Sequence, residues 1–483
     1  MRPVVLVVMD GVGLREEDDR NAFRIAETPN LDSLMEQGFA RLDASGPAVG
    51  LPEGYTGNSE VGHLHLGAGR KVPQRLTRIN QAIEDDRLRE KEALKSALTR
   101  AEGNGTAVHF AGIISDGGIH GHIDHLEALL EIASGYDIDD IYVHCFADGR
   151  DVAPKSAEKY LQMIEDWCEE YSAEIATVMG RYYSMDRDHN WDRTEKAYRA
   201  MAEGEGFQFE EPGEAVQKAY DDGEYDYFIQ PSASEDFEGI ESSDELVFYN
   251  FRADRERQIV EAFLKQDFSE FENPVRPGFT SMFLYRKDFD NPVLFQKKIV
   301  EDTLGEKIEE AGMSQLRVAE SQKIPHVTYF FNGQRELKFE HEKREFIESD
   351  KIKAYDQAPE MHADETTDIV IDAVEAGDRE FILLNYANGD LVGHTGELDA
   401  AITAMETVDR NIGRLVDTVK ETDYVLLITA DHGNCEDMGE SQDSPNTSHT
   451  MNPVPLIGVN TDREFEDGEI WELERRIEEI LGL

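Results

Sequence analysis

The chain has 483 residues, 102 of them acidic and 48 basic, for a formal net charge of −54. A surface of that sign excludes nucleic-acid binding through a generally basic face, and 40% hydrophobic residues over this length exclude a mainly disordered chain and suffice for two domains. Asp and Glu are spread along the whole chain and Arg outnumbers Lys by 30 to 18, a carboxylate-covered surface suited to high salt, where screening shortens the repulsion, so a halophilic source is expected.

In chain order, the first apolar run, Val4–Met9, reads as a buried strand. It is too short for a signal-peptide core and ends in Asp10. Thr28-Pro29 then supplies an N-cap and a first-turn proline for a helix carrying Leu31 and Leu34 and closed by Gly38. Helical periodicity follows at Gln81–Ala101, Ile123–Ala133 and Leu398–Val419. Strand-like runs stand at Val108–Ile114, Ile141–Phe146, Ile175–Met179, Leu246–Phe251, Phe381–Leu384 and Tyr424–Ile428. This alternation predicts an α/β fold with largely parallel sheets. Pro73–Arg78 and Asp288–Val293, each with a proline among polar residues, are the candidate crossings between domains. No apolar stretch approaches the roughly 18 residues needed to span a bilayer. Cys145, Cys168 and Cys435 are odd in number and far apart, so neither a disulfide framework nor a thiolate metal knuckle is available, and a reducing cytoplasm is expected.

Polar clusters follow the strand-like runs: Asp10 after the first, Asp390 and His394 after the run from Phe381, Asp431-His432 after the run from Tyr424, and His449 further on. Ligands of open α/β sheets collect at the carboxyl ends of strands. A single aspartate there often only caps the next helix, but three carboxylates with three imidazoles and no thiolate form a set suited to Mn²⁺, Zn²⁺ or Mg²⁺. Six ligands exceed the needs of one ion, which points to two. Asp10 precedes Asp390 by 380 residues, so a shared site requires the two chain ends to fold together. Residues 76–296 are then an inserted domain, and 1–75 with 297–483 a discontinuous one.

Between the first strand and the insert lies GYTGNSEVGHLHLGAGR, residues 54–70, with five glycines and Ser59 at its centre. It is neither a GxSxG elbow nor a Walker A loop. In the plainer reading Ser59 caps the helix that follows; in the other it is a nucleophile whose hydroxyl is deprotonated by direct metal coordination.

The motifs MDGVG, TPNLDSL, LPEGYTGNSEVGH with LGAGR, SDGGIHGHIDH, DGRDVAP, GRYYSMDRD, NFRADR, HVTYFFNG, ANGDLVGHTG, ADHGN and SHTMNPVP occur in this order. Together they resemble cofactor-independent phosphoglycerate mutase, a family of the alkaline phosphatase superfamily. The resemblance implies a discontinuous, alkaline-phosphatase-like α/β domain with a mostly parallel sheet and helices on both faces, plus an inserted α/β transferase domain. It implies two metal ions, manganese being expected, one held by Asp390, His394 and His449 and the other by Asp10, Ser59, Asp431 and His432. It also implies a substrate side of His120, Arg150, Asp151, Arg181, Arg187, Arg252, Arg255 and Lys323, with Ser59, Asp151, Lys323 and Arg252 as the catalytic groups. Arg257 belongs to no matched position. The implied reaction is interconversion of 3-phosphoglycerate and 2-phosphoglycerate through a phosphoserine, without 2,3-bisphosphoglycerate, as in glycolysis and gluconeogenesis, by a monomer with no nucleic-acid or membrane partner.

Guanidinium forks suit a substrate carrying phosphate and carboxylate, although most of the 30 arginines in so acidic a chain are expected in surface ion pairs. His109, His122, His125 and His144 are read as core or helix-surface residues. Val12, the GYTGNSE and ANGD stretches and Cys435 depart from the family pattern, and Cys435 reads as a small buried filler. Two rivals share some of these features. Another phosphomutase or a metal-dependent phosphatase would use the same metal core but would not need DGRDVAP and NFRADR. A merely cation-loading acidic protein would not need Asp and His placed after strands.

Overall fold

The computed structural model describes residues 1–483. Strand Val4–Met9 is buried at all six positions, as a strand apolar on both faces must be. Parallel neighbours flank it on both sides, Phe381–Tyr386 and Val425–Thr429, and Gln315–Glu320 and Glu342–Ile347 extend the sheet in parallel beyond the first of these. On the other side Val454–Val459 runs antiparallel, and Ala40–Asp43 and Gly468–Glu469 complete eight strands. Helices Pro29–Gln37, Leu304–Glu310, Ala363–Ala376, Leu398–Lys420 and Leu473–Leu481 contribute their apolar stripes to one continuous core with these strands. Each Val or Leu so enclosed contributes about 1.5–3 kcal/mol.

These elements belong to one compact unit, Met1–Gln74 with Ile299–Leu483; Arg75–Lys298 form a second. The second unit has its own sheet of seven strands. Its centre is Glu174–Gly180, Ile141–Ala147, Val108–Ile113 and Glu245–Phe248, all parallel; Ser232–Ser234 pairs antiparallel with Glu174–Gly180, and Phe207–Phe209 lies parallel to Ser232–Ser234 at the edge. The fold is therefore α/β with a discontinuous unit and an inserted one. No helix is long and apolar enough to cross a membrane, and all three cysteines are free and buried.

Several sequence expectations are corrected. The helix expected over Gln81–Ala101 is two helices, Arg75–Glu84 and Glu92–Asn104. Asp86 takes a left-handed backbone, φ +56°, and Asp85 and Asp86 bind Arg87 and Arg89 locally; such side chains favour turns over helix interiors. Thr28 is the N-cap residue and Pro29 opens the helix as expected, but the Thr28 side chain accepts no cap hydrogen bond; its hydroxyl donates to Asp32. The strand expected to reach Phe251 ends at Phe248. Asp288–Val293 lies inside the second unit, where the following residue, Leu294, donates its N–H to Ser281 O at 2.9 Å.

Candidate active site

The strands deliver the first group of residues. Asp10 directly follows Met9, Asp390 lies one turn beyond strand Phe381–Tyr386, and Asp431-His432 follow Thr429. Ser59 is the first residue of helix Ser59–Ala68, whose N-cap is Asn58, its side chain accepting from Val61 N. The cap reading of Ser59 is thus excluded, and the hydroxyl stands at the helix end that favours negative charge. Gly62 is needed on this helix, because a Cβ there would come within 2.5 Å of Asp431 O.

Three groups surround Ser59 Oγ: Asp10 Oδ1 at 2.9 Å, Lys323 Nζ at 2.8 Å and His432 Nε2 at 3.0 Å. The Lys323 ammonium also donates to Asp10 Oδ1 and Asp390 Oδ2, each at 2.7 Å. Asp10, Asp431, His432, Lys323 and Asp390 are all at most 4% exposed, so their charges act in a medium that screens them weakly. Burial opposes the charged form of Lys323, but the carboxylates of Asp10, Asp390 and Asp431 outweigh it and raise the ammonium further above its ordinary value. The same contest raises the His432 imidazole to about 10, burial opposing and Asp431 leading the carboxylates that win. Burial likewise disfavours the Asp10 and Asp390 carboxylates, yet Lys323 with the neighbouring imidazoles holds both well below the usual range.

A second cluster joins the first through Asp390. Its Oδ1 lies 3.1 Å from His394 Nε2 and 3.3 Å from His449 Nε2, and the two ring nitrogens are 3.1 Å apart. Nδ1 of His394 faces Thr447 O at 2.7 Å and Nδ1 of His449 faces Gly57 O at 2.9 Å. Carbonyls accept, so the ring protons belong on Nδ1, and both Nε2 atoms present bare lone pairs to each other. Two ring nitrogens and a carboxylate oxygen converging in this way are satisfied by a metal ion among them or by a proton on His394, whose imidazole Asp390 raises above its ordinary value. Their spacing is close to the roughly 3.3 Å between ligands that each stand about 2.0–2.1 Å from a tetrahedral ion. Around Ser59, three buried carboxylates face one ammonium, so two negative charges lack a compensating cation when the imidazoles are neutral. Asp431 Oδ2 is buried with no hydrogen-bond partner. The donor set therefore fits divalent metal.

His63 was not foreseen. Its Nδ1 lies 3.1 Å from Asp431 Oδ2, and Asp10, His63 and Asp431 form one of three convergent groups able to hold an ion, beside Asp10–Asp390–His432 and Asp390–His394–His449. The legible signal was the spacing of four from Ser59, one helical turn. His326 packs edge-on to His63, 5.5 Å between ring centres, and burial followed by Lys323 holds its imidazole down to about 3.

The second unit gathers the other candidates. Arg181, 2% exposed, donates to Asp148 Oδ1 at 2.6 Å and Asp151 Oδ2 at 2.5 Å. Asp254 Oδ2 accepts from Arg187 at 3.0 Å, and its Oδ1 lies 3.1 Å from Arg252 Nε and 3.9 Å from His120 Nδ1. Burial, then the positive charges of Arg181, Arg187 and Arg150, lowers the Arg255 guanidinium, which marks these arginines as neighbours. Burial and then Arg181 push His120 down to about 3, so its ring is neutral near pH 7. Arg257 turns away to Tyr285 O. Asp148 and Asp254, the carboxylates that orient these guanidinium groups, were missed by sequence reasoning, though Asp148 opens the segment DGRDVAP. His109 and His144 are buried core residues, His122 caps helix Ile123–Ala133 and His125 binds Asn80. Cys435 is fully buried, and burial raises its thiol well above the ordinary value, so it is an inert filler.

Glu256 lies fully buried behind the arginines, accepting 2.8 Å from Asn250 Nδ2 with its other oxygen unpartnered. Burial, with Asp254 adding, raises its carboxyl to about 8. A raised folded-state value means that stability present below the ordinary value of 4.5 is lost as pH climbs through about 8. The Glu256→Gln variant should therefore gain melting temperature relative to wild type between pH 5 and 8, and hold that gain above pH 9. A difference that does not change with pH would show the carboxyl already ionised at pH 5.

A family model described as the N-terminus of the BPG-independent phosphoglycerate mutases matches residues 79–287, and one for type I phosphodiesterases and nucleotide pyrophosphatases matches residues 274–441. A 2,3-bisphosphoglycerate-independent phosphoglycerate mutase of Moorella thermoacetica is 47% identical, the alignment covering 95% of this chain and 91% of that protein. One of Syntrophotalea carbinolica is 44% identical, covering 100% and 96%. A crystal structure of Leishmania mexicana phosphoglycerate mutase at low cobalt concentration superposes with a TM-score of 0.72 at 31% identity, covering 100% of this chain and 95% of that one. With full-length relatives at this identity, the chain belongs to the family of 2,3-bisphosphoglycerate-independent phosphoglycerate mutases.

Proposed function

We propose that this protein interconverts 3-phosphoglycerate and 2-phosphoglycerate through a phosphoserine on Ser59, using two divalent metal ions and no 2,3-bisphosphoglycerate. The observation that carries the reading is the surroundings of Ser59 Oγ, a buried hydroxyl at a helix start within 3.0 Å of a carboxylate, an ammonium and an imidazole. One ion falls to Asp390, His394 and His449, the other to Asp10, Ser59, Asp431 and His432. Bound there, the ions supply Lewis-acid charge that favours the Ser59 alkoxide and offsets charge on the phosphoryl oxygens.

The Ser59 oxygen attacks phosphorus in line as the bond to the glycerate oxygen breaks. Lys323 and Arg252 offset the charge spread over the transferring group. Asp151 carries the proton between the glycerate hydroxyls, giving it to the one that leaves and taking it from the one that attacks. His120, Arg150, Arg181, Arg187 and Arg255 hold the glycerate carboxylate and its phosphate. Guanidinium pairs bind both groups bidentately, and their local field opposes that of a −54 molecule. Carboxylate, imidazole and hydroxyl ligands without thiolate suit Mn²⁺, Zn²⁺ or Mg²⁺, and manganese is the proposed metal because the family resemblance implies it. A coupled assay with 3-phosphoglycerate and Mn²⁺ should give the same rate with and without added 2,3-bisphosphoglycerate. Release of inorganic phosphate in place of 2-phosphoglycerate would instead identify a phosphatase.

The acidic surface supports a halophilic setting. Screening of carboxylate repulsion should raise the melting temperature between roughly 0.1 and 2 M KCl, while weakening the arginines' hold on a small anion and raising KM. A melting temperature highest in dilute buffer would contradict the halophilic reading and leave the mutase reading intact.

A further inference from the structure

Behind the metal-ligand candidates sits a carboxylate that none of the steps above uses. Glu436 is fully buried. Its Oε2 accepts from Gly13 N at 2.9 Å and Asn434 N at 2.8 Å; its Oε1 accepts from Asn452 Nδ2 at 2.9 Å and from the Thr450 hydroxyl. The four donors come from three separate segments. Gly13 follows Asp10 by three residues, Asn434 follows His432 by two, and Thr450 is next to His449. The fourth ligand-bearing segment is reached at one remove, since Asn434 Nδ2 donates to Asp390 Oδ1 at 3.3 Å.

The chain is shaped to admit this side chain. A Cβ on Gly13 would lie 2.5 Å, and one on Gly433 2.3 Å, from Glu436 Oε1, so both glycines are required by the carboxylate that passes between them. The backbone around it is cross-tied as well, Thr450 N donating to Gly433 O at 3.0 Å and Cys435 N to Gly11 O at 3.0 Å.

We infer that Glu436 is a positioning residue that sets metal affinity by clamping the Asp10, Asp431-His432 and His449 segments into one ligand frame. The inference rests on the metal-site reading above. Only an ionised carboxylate can accept at both oxygens from four donors. An amide in its place turns one oxygen into a donor, which either opposes the two backbone N–H groups or forces the Thr450 hydroxyl and the Asn452 amide to turn round and accept. One ligand segment is then released on that side, although every ligand remains. Partners that orient metal ligands typically contribute 10–100-fold in affinity.

Equilibrium dialysis of the full chain with Mn²⁺ alone should show the Glu436→Gln variant binding at least tenfold more weakly than wild type. Its turnover should be depressed at limiting Mn²⁺ and restored to within about threefold of wild type by excess Mn²⁺, a rescue that a folding defect would not give. Thr450→Val deletes one donor to Oε1, together with the acceptor of Asn452 N, and leaves the carboxylate in place, so it keeps the test decisive if the Gln variant does not fold. It should weaken Mn²⁺ by a smaller factor, about threefold to tenfold. Wild type that binds Mn²⁺ alongside variants within twofold of it would overturn the inference alone. Wild type that takes up no Mn²⁺ would overturn the metal-site reading and the inference with it.

Discussion

The Ser59→Ala variant should lose mutase activity by at least about a thousandfold, the consequence of deleting the nucleophile of a covalent mechanism. Folding should be spared. The hydroxyl's three neighbours keep other partners: Lys323 Nζ remains on Asp10 and Asp390, 2.7 Å from each, His432 Nδ1 remains 3.1 Å from Gly433 O, and the helix keeps its Asn58 cap. The variant should melt within a few degrees of wild type and still take up metal at Asp390, His394 and His449. If it retained a tenth of wild-type turnover, Ser59 would not be the group that carries phosphate.

Chelation should abolish activity entirely, and Mn²⁺ should return it. With the ligands bare, the Asp10, Asp390 and Asp431 carboxylates are balanced by Lys323 and, near neutral pH, by a protonated His432, a proton that metal must displace, and the His394 and His449 ring nitrogens stand 3.1 Å apart. Metal should therefore stabilise the fold as well as activate it, by about 2.7 kcal/mol at a free concentration a hundred times the dissociation constant. The imidazoles of His394, His432 and His449 must be neutral to ligate, and burial of metal among them releases protons. Because the surrounding carboxylates hold the His432 proton up to about pH 10 in the bare site, metal and proton compete there across the neutral range, so turnover should fall as pH drops and the fall should shift to lower pH as Mn²⁺ is raised. A rate unchanged by exhaustive chelation, or flat from pH 5.5 to 8 at limiting metal, would contradict a metal-dependent serine.

Much of the site was legible because the sheet's own chemistry announces it. Apolar runs such as Val4–Met9 and residues 425–428 suit strands buried on both faces, and in a largely parallel sheet the polar residues that follow them stand at the sheet's carboxyl edge. Asp10, Asp390, Asp431 and His432 were found that way. His394 and His449 entered the same set as imidazoles further along the chain, and the family motifs then divided the six ligands between two ions. What stayed hidden depends on contacts between segments distant in sequence. His63 lies on an apolar-looking helix and shows its character only where Asp431 meets it. Glu436 appears in sequence as one more acid in a chain of 102 acidic residues, and Asp254 as a charge between arginines. The break at Asp86 was missed for a different reason, since the apolar periodicity continues across it while the local Asp–Arg pairs turn the backbone.

The most direct test is to quench the wild-type protein during turnover of 3-phosphoglycerate labelled in its phosphate and to map the label by peptide mass spectrometry. The account predicts label on Ser59 at early times and in 2-phosphoglycerate afterwards, with none released as inorganic phosphate. Turnover to 2-phosphoglycerate with no label on Ser59, or with the label on another residue, would contradict it.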